Sequence, residues 1–313
     1  MTMTNIILHH YPLSPFAEKV RLIMGFKKLD WQSVVIPMYM PKPDVISLTG
    51  GHRRTPFMQI GADIYCDTAL ICDVLEHLQP EPTLYPESVK GAARIVSQWA
   101  DSMVFPVAMA YNFQPSGAAH VLANWNPEEV KLFVQDRTTM RGGAPRMPPA
   151  DAEGMYRSYL RRLAHMLDHH PFLMGAAPSI ADFSAYHPTW YTWRKVSPLA
   201  GILDATPHVL AWLAKMEAFG HGTHTDISST HALEIAQHAT PVDVSSEPFI
   251  DLHGIALGSQ VVVTAEAFGL EPTHGELVAA TRTRFTVRRH DARTGTVHVH
   301  FPRVGFVLKK DAA

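Results

Sequence analysis

The sequence predicts an α+β chain in three parts, and three observations predict it. Strands and helices alternate through the first 80 residues, helical periodicity dominates residues 86–235, and β-rich runs with turn signals fill residues 241–313. Asn5–His10 is a short apolar run and reads as a strand. Tyr11-Pro12-Leu13-Ser14-Pro15 breaks it, and Ser14 is a good N-cap with Pro15 suited to the first helical position. Phe16, Val20, Ile23 and Met24 then recur at helical spacing. Trp31–Ile36 is strand-like, and Pro37–Pro43 ends it. Pro56–Ile60 and Asp63–Cys66 read as two strands turning at Gly61-Ala62, and Asp67–Leu78 reads as an amphipathic helix. The order is therefore βαβ, with a parallel pair and right-handed crossover, then ββα with an antiparallel pair.

The segment Gln79–Pro86 holds three prolines and reads as a linker. Beyond it, Ser88–Asn112 is helical with a kink expected at Pro106. Pro127–Thr139, Ala152–His170, Ser179–Trp193 and His208–Phe219 complete an all-α block, with Arg141–Pro149 a Gly/Pro-rich loop. Ser179-Ile180-Ala181-Asp182 has the spacing of a capping box, with Asp in place of the usual Glu or Gln. In the tail, Gln260–Ala265, Leu277–Arg289, Thr296–Pro302 and Gly305–Lys309 are β-rich. Asp291–Gly295 reads as a hairpin turn, so the tail is expected to be a separately folded small β module packing on the rest.

Composition narrows the function. Lys plus Arg number 27 against 29 Asp plus Glu, which argues against a nucleic-acid binder or a membrane-surface binder. The tail's basic end from Glu276 does not change this, because across residues 241–313 eight basic residues meet eight acidic ones. Two cysteines, Cys66 and Cys72, are too few for a disulfide framework or a zinc cluster, and each reads as a buried inert thiol. His221, His224 and His231, and the pair His298 and His300, lack zinc-motif spacing, so no metal is expected. No basic leader and no apolar run of membrane length is present, and the expectation is a cytoplasmic protein.

Four features, in order, make the chain resemble the glutathione S-transferase family over roughly residues 5–220. Ser14-Pro15-Phe16-Ala17-Glu18-Lys19-Val20-Arg21 is similar to the first-helix motif of its serine-type and omega-type members. Thr55-Pro56 stands where the family has a cis-proline. Asp67-Thr68 follows at the family's spacing for an acidic-plus-hydroxyl pair, and Pro178–Phe183 resembles its helical-domain capping motif. The resemblance implies a thioredoxin-like domain (residues 1–80), an all-helical domain (86–235) and an added β module (241–313) of no family-assigned role.

It also implies glutathione as co-substrate and a transferase of alkyl or aryl groups, a homodimer active in detoxification. Ser14 would hold the glutathione thiolate, since a hydroxyl and exposed helix amides favour an anion there. Ser14 is equally a plain cap, and Tyr11 is the alternative hydroxyl donor. Asp67 and Thr68 would bind the γ-glutamyl end, Thr55 before Pro56 would pair with the cysteinyl backbone, and Arg53 and Arg54 would meet a carboxylate. The second substrate, a hydrophobic electrophile, is expected between the first two domains against Tyr11, Leu13, Met103, Met109, Tyr111 and Trp190, with Trp193 beside them. The omega-type cysteine position is Ser14 here, which argues against dithiol exchange. The rival expectation is a non-catalytic glutathione-binding or protein-interaction module.

Overall fold

Eleven helices and ten strands are described in a computed structural model covering residues 5–311. The first third runs β1 (Ile7–His10), α1 (Pro15–Phe26), β2 (Asp30–Val35), α2 (Pro43–Thr49), β3 (Phe57–Ile60), β4 (Asp63–Cys66) and α3 (Thr68–Leu78). β1 pairs parallel with β2, and β3 pairs antiparallel with β4 across Gly61, as the sequence pattern predicts, while the antiparallel pairing of β1 with β3 that joins the two halves is a finding of the structure. α2 is an addition: seven residues opened by Pro43 and closed by Gly50 at φ 81°. Its shortness hides it behind the preceding proline run.

The helical part runs α4 (Lys90–Trp99), a π turn at Ala100–Val104, α5 (Phe105–Asn112), α6 (Pro115–Val121), α7 (Pro127–Arg141), α8 (Pro149–Leu167), α9 (Ile180–Trp190) and α10 (Pro207–Glu217). Where a kink is expected at Pro106, the helical run changes type just before it: the π turn ends at Val104, and Pro106 lies in the first turn of α5, where proline is tolerated. One apolar core joins the face of α1 (Val20, Ile23, Met24) and of α3 (Ile71, Leu75) to Tyr156, Phe183, Tyr186 and Trp212 of the helical part. The capping box at Ser179 is present and fully buried. Asp182 accepts from the amides of Leu173 (2.8 Å) and Ser179 (2.9 Å) and from the Trp212 indole (3.0 Å), so it ties the start of α9 to α10 and to the preceding loop.

The expected all-helical block is corrected at its end. β5 (Thr223–Asp226) returns to the first third and pairs parallel with β2, and α11 (Ser229–His238) packs there too. The tail contributes β6 (Gln260–Ala265), β7 (Thr273–Ala280), β8 (Arg284–Asp291), β9 (Gly295–Pro302) and β10 (Phe306–Lys310). The run expected at Leu277–Arg289 is thus two strands, turned at Thr281–Thr283, and the hairpin at Asp291–Gly295 is as expected.

The tail is all-β as expected, but its strands join the sheet of the first third instead of forming one of their own. β9 pairs parallel with β4, giving one ten-stranded sheet in the order β10-β6-β7-β8-β9-β4-β3-β1-β2-β5. A second core is shared across the junction, with Ile7, Val34, Phe57 and Ile64 packed with Ala232, Leu233, Val287, Val299 and Phe301. His300 Nε2 lies 2.8 Å from Asp63 Oδ1, and the Val242 amide donates to Asp63 Oδ2 at 2.9 Å, so the seam is polar as well as apolar.

Asp182→Ala removes the acceptor of four buried donors, the amides of Leu173 and Ser179, the Ser179 hydroxyl and the Trp212 indole, each costing about 1–3 kcal/mol when left unpaired. We expect a loss of roughly 3 kcal/mol or more by urea denaturation, with α9 and α10 losing amide protection first.

Candidate functional site

The sheet brings three separate chain segments to one end. β1 and β3 are antiparallel with His9 opposite Phe57, so the loop leaving β1 (Tyr11–Ser14) meets the segment entering β3 (Arg53–Pro56). β3 and β4 pair Phe57 with Cys66, which puts the start of α3 (Asp67, Thr68) at the same end. Three of the groups expected from sequence to act together are therefore gathered by strand register alone.

Ser14 caps α1, its Oγ accepting the Ala17 amide at 3.2 Å, and Pro15 opens the helix. The residue is 2% exposed. As an acceptor from Ala17 the hydroxyl keeps its own proton free to donate, so cap and donor are compatible roles. The Thr55–Pro56 peptide is cis. Asp67 caps α3, Oδ1 accepting the Ala69 amide at 2.9 Å, with φ at 75°, a region that L residues rarely adopt and that functional sites often hold. Burial raises the Asp67 pKa against the Ala69 hydrogen bond and the positive charges of Arg54 and Lys19.

Thr68 is buried and its hydroxyl accepts from Lys19 Nζ at 3.3 Å. Lys19 is itself fully buried and paired with Asp101 of the π turn at 2.7 Å. Asp101 also contacts His187 Nε2 of α9 at 2.9 Å and accepts from Ser184. Burial disfavours both charges, but each outweighs it for the other: Lys19 is held above its ordinary pKa and Asp101 below. The His187 ring packs 4.4 Å from Phe16, beside Ser14, and 5.6 Å from Phe105. Lys19, Asp101 and His187 were not legible as a site; only the fold joins α1, the π turn and α9.

The two arginines are placed differently from the expectation. Arg53 is ion-paired with Asp136 of α7 and with Glu271 of the tail, its Nε donating to Glu271 at 2.6 Å. Arg54 Nε donates to the Phe268 carbonyl at 2.7 Å and its Nη2 to the Ala267 carbonyl. Asp136 further holds Arg137, which donates to the Tyr11 hydroxyl at 3.1 Å and to the Met38 carbonyl at 3.0 Å. Tyr11 is thereby occupied as an acceptor.

Lys42 is the cation that sequence reasoning missed. It is 3% exposed, its Nζ lies 5.8 Å from the centre of the Tyr11 ring, and that ammonium has no hydrogen-bond partner among the described residues. Burial, with Arg137 and Arg53 adding to it, lowers its pKa to about 8 against the pull of Asp136. Lys42, Arg53 and Arg137 face Asp136 and Glu271, leaving one excess positive charge in a largely buried cluster. Such an excess favours an anionic ligand. Its only local signal is Pro41-Lys42-Pro43.

The residues expected around the electrophile differ in exposure. Leu13 is half-buried beside Ser14, Met103 is 46% exposed on the π turn, and Met109 is half-buried on α5. Tyr111 and Trp190 are buried in the apolar core. Tyr111 packs 5.6 Å from Tyr156 and donates to the Leu199 carbonyl at 3.2 Å, while Trp190 is 5% exposed against Tyr191. Trp193 is half-buried with Arg194 3.6 Å above its ring. Cys66 and Cys72 are buried free thiols, and burial pushes Cys72 up to about 12. No group of three or more metal-binding side chains occurs among the described residues. No described helix is long and apolar enough to cross a membrane.

A sequence profile described as glutathione S-transferase, N-terminal domain matches residues 8–83, and one described as glutathione S-transferase, C-terminal domain matches residues 144–215. The chain is similar to a GST-like protein from Pseudomonas syringae of known crystal structure, at 41% identity over 99% of this chain and 100% of that one, with a TM-score of 0.83. The likeness therefore includes the tail. FtsZ-localized protein A of Caulobacter vibrioides is 24% identical over 183 residues, 57% of this chain and 73% of that protein. Rice GST1, solved in complex with glutathione, shares the fold at 16% identity over 69% of this chain and 88% of its own, with a TM-score of 0.50.

Lys42→Met should stabilise the protein near pH 7, by about 3 kcal/mol at most. The gain should vanish as pH rises from about 8 to 10.5, because there the folded wild type holds fewer protons on Lys42 than the unfolded chain and so gains stability with pH. Paired urea titrations across that range check it. A gap that does not change with pH would mean that Lys42 is not the source of it.

Proposed function

Because the chain belongs to the glutathione S-transferase family, we propose that it binds glutathione where α1, β3 and α3 meet and activates its thiol for attack on a hydrophobic electrophile. The observation that carries this reading is Ser14: a buried hydroxyl with a free proton at a helix N-terminus, at the same sheet end as cis-Pro56 and the Asp67 cap. Ser14 donates to the thiolate, and the first amides of α1 add their dipoles. The thiol proton leaves to solvent, sulfur forms a bond to the electrophilic carbon, and that carbon's leaving group departs with the electron pair. Asp67 and Thr68 hold the γ-glutamyl end, and Thr55 meets the cysteinyl backbone. Lys42 receives the remaining carboxylate, in place of Arg53, whose charge Asp136 and Glu271 already balance. Leu13 and Phe16 form the apolar side toward the electrophile. A cytoplasmic homodimer active in detoxification completes the reading.

A second reading is favoured by two observations. Arg53 and Arg54 are both occupied by other parts of the chain, and FtsZ-localized protein A carries in its name an association with another protein. On this reading the protein binds glutathione or a protein partner without turnover. Absorbance of a bound thiolate near neutral pH separates the two.

Ser14→Ala should raise the pKa of bound glutathione from a depressed value toward the usual 8.5 or so. Turnover with a generic aryl halide should then fall steeply at pH 7 and partly recover at higher pH, with little change in glutathione affinity. The lost cap should cost about 1 kcal/mol of stability as well. An unchanged pH profile and rate would leave Ser14 as a cap only.

Asp67→Ala should instead weaken binding, since losing a charge-assisted hydrogen bond costs roughly 1.5–3 kcal/mol, on the order of tenfold to a hundredfold in the dissociation constant. Calorimetric titration with glutathione reads it directly. An unaltered constant removes Asp67 from the site.

A further inference from the structure

The loop between β6 and β7 leaves its own sheet and bridges two other parts of the molecule. Its first half, Glu266–Leu270, lies on Arg54, with the Ala267 and Phe268 carbonyls accepting from the guanidinium. The Gly269 amide donates at 2.7 Å to the carbonyl of Met140, near the end of α7. Gly269 has φ at 72°, a left-handed conformation that favours glycine, and a Cβ there would stand 3.0 Å from Met140 Cε. The second half is anchored otherwise. Glu271 is ion-paired with Arg53, and Thr273 Oγ1 donates to the Thr49 carbonyl at 3.0 Å and accepts the His52 amide at 3.3 Å. Gly51 approaches so closely that a Cβ on it would lie 1.9 Å from the Pro272 carbonyl oxygen.

The two halves differ in what holds them. The anchor at Glu271–Thr273 is ionic and partly or wholly buried. The tip is held to a positive charge by neutral carbonyls, and its apolar side chains bury little: Phe268 and Leu270 are 45% and 47% exposed. Arg54 immediately precedes the cis Thr55–Pro56 peptide, and the pairing of Phe57 with Cys66 puts that segment and the Asp67 cap at the same sheet end, so Arg54 stands at the γ-glutamyl end of the site proposed above. A carboxylate offers a guanidinium two parallel charge-assisted bonds, about twice as strong as bonds to neutral carbonyls.

We propose that Glu266–Leu270 is a latch over the carboxylate-binding end of this site, opened when a ligand carboxylate replaces the Ala267 and Phe268 carbonyls on Arg54. This rests on the glutathione reading and adds its regulation. Opening breaks the Gly269–Met140 bond, so ligand binding loosens the tie between the tail and α7, while Glu271 stays on Arg53 as a hinge-side anchor. The ligand's affinity is lowered by the cost of lifting the tip.

The test uses the full-length protein and S-methylglutathione, which keeps both carboxylates and cannot react through its thiol. Hydrogen exchange is followed in the wild type, and binding is measured by calorimetry in the wild type and in a variant with Glu266–Leu270 replaced by Asn-Gly. On ligand addition, exchange over residues 266–270 should rise by about fivefold or more, with protection kept at Glu271–Thr273. The shortened variant should bind about tenfold more tightly, because no latch must be lifted. Binding to the wild type with exchange at 266–270 unchanged or slowed overturns the latch, as does equal or weaker binding by a folded shortened variant. Binding by the shortened variant alone supports it. Binding by neither overturns the glutathione reading, and the latch falls with it. If the shortened variant does not fold, by circular dichroism, the wild-type exchange result decides.

Discussion

The pairing of β9 along β4 is the constraint on which the rest of the arrangement depends. An exposed strand edge carries unsatisfied amides and carbonyls and invites unwanted pairing. Here the edge of β4 is covered by the chain's own tail, in parallel register from Asp63 with His298 to Tyr65 with His300. The antiparallel ladder from β9 through β8 and β7 to β6 then follows strand by strand. Because β7 runs beside β6 at the far side of that ladder, their connecting loop is carried round to Arg53 and Arg54. The tail's effect on the candidate site thus follows from a strand pairing made elsewhere.

Buried charge makes the second tie. Lys19 with Asp101, and Arg53 with Asp136 and Glu271, join helices and loops from different parts of the chain in places where a lone charge would be costly. Removing one partner of such a pair leaves the other uncompensated, so these contacts specify one arrangement of the halves more than they add to net stability. Lys42 is the exception, a buried cation whose ammonium has no paired acceptor among the described residues.

Much of the local structure was legible. Ser14-Pro15 reads as a helix start because a hydroxyl cap and a fixed proline φ suit no other position as well, and the turn at Asp291–Gly295 lies between alternating runs. The elements that escaped share a physical reason. β5 is four exposed polar residues with no apolar alternation, and it is a strand only because β2 offers it an edge. α6 is seven residues with one buried position, and α11, in a Ser/Thr/His-rich stretch, is helical with its buried Ala232, Leu233 and Ala236 against the sheet. Tyr111 and Trp190 lie in the core shared by the first third and the helical part, which their spacing could not foretell, because aromatic spacing on a helix cannot say which of two neighbours it faces.

By itself, the sequence determined the three-part order of elements, the caps of α1, α3 and α9, and the segments that carry Ser14, Pro56 and Asp67, because these depend on residue type and short-range spacing. Tertiary structure alone decided that the tail continues the sheet, that Arg53 is held by α7 and the tail and Arg54 by the tail, and that the Lys42 ammonium has no acceptor among the described residues. Those outcomes rest on contacts between residues as much as some 250 positions apart, such as Asp44 with Arg293 or Ser47 with Arg289. Short-range pattern carries no information about such pairs, because the same tail could bury its apolar faces on itself. The match to the edge of β4 and to the Asp63 carboxylate exists only once both strands are folded side by side.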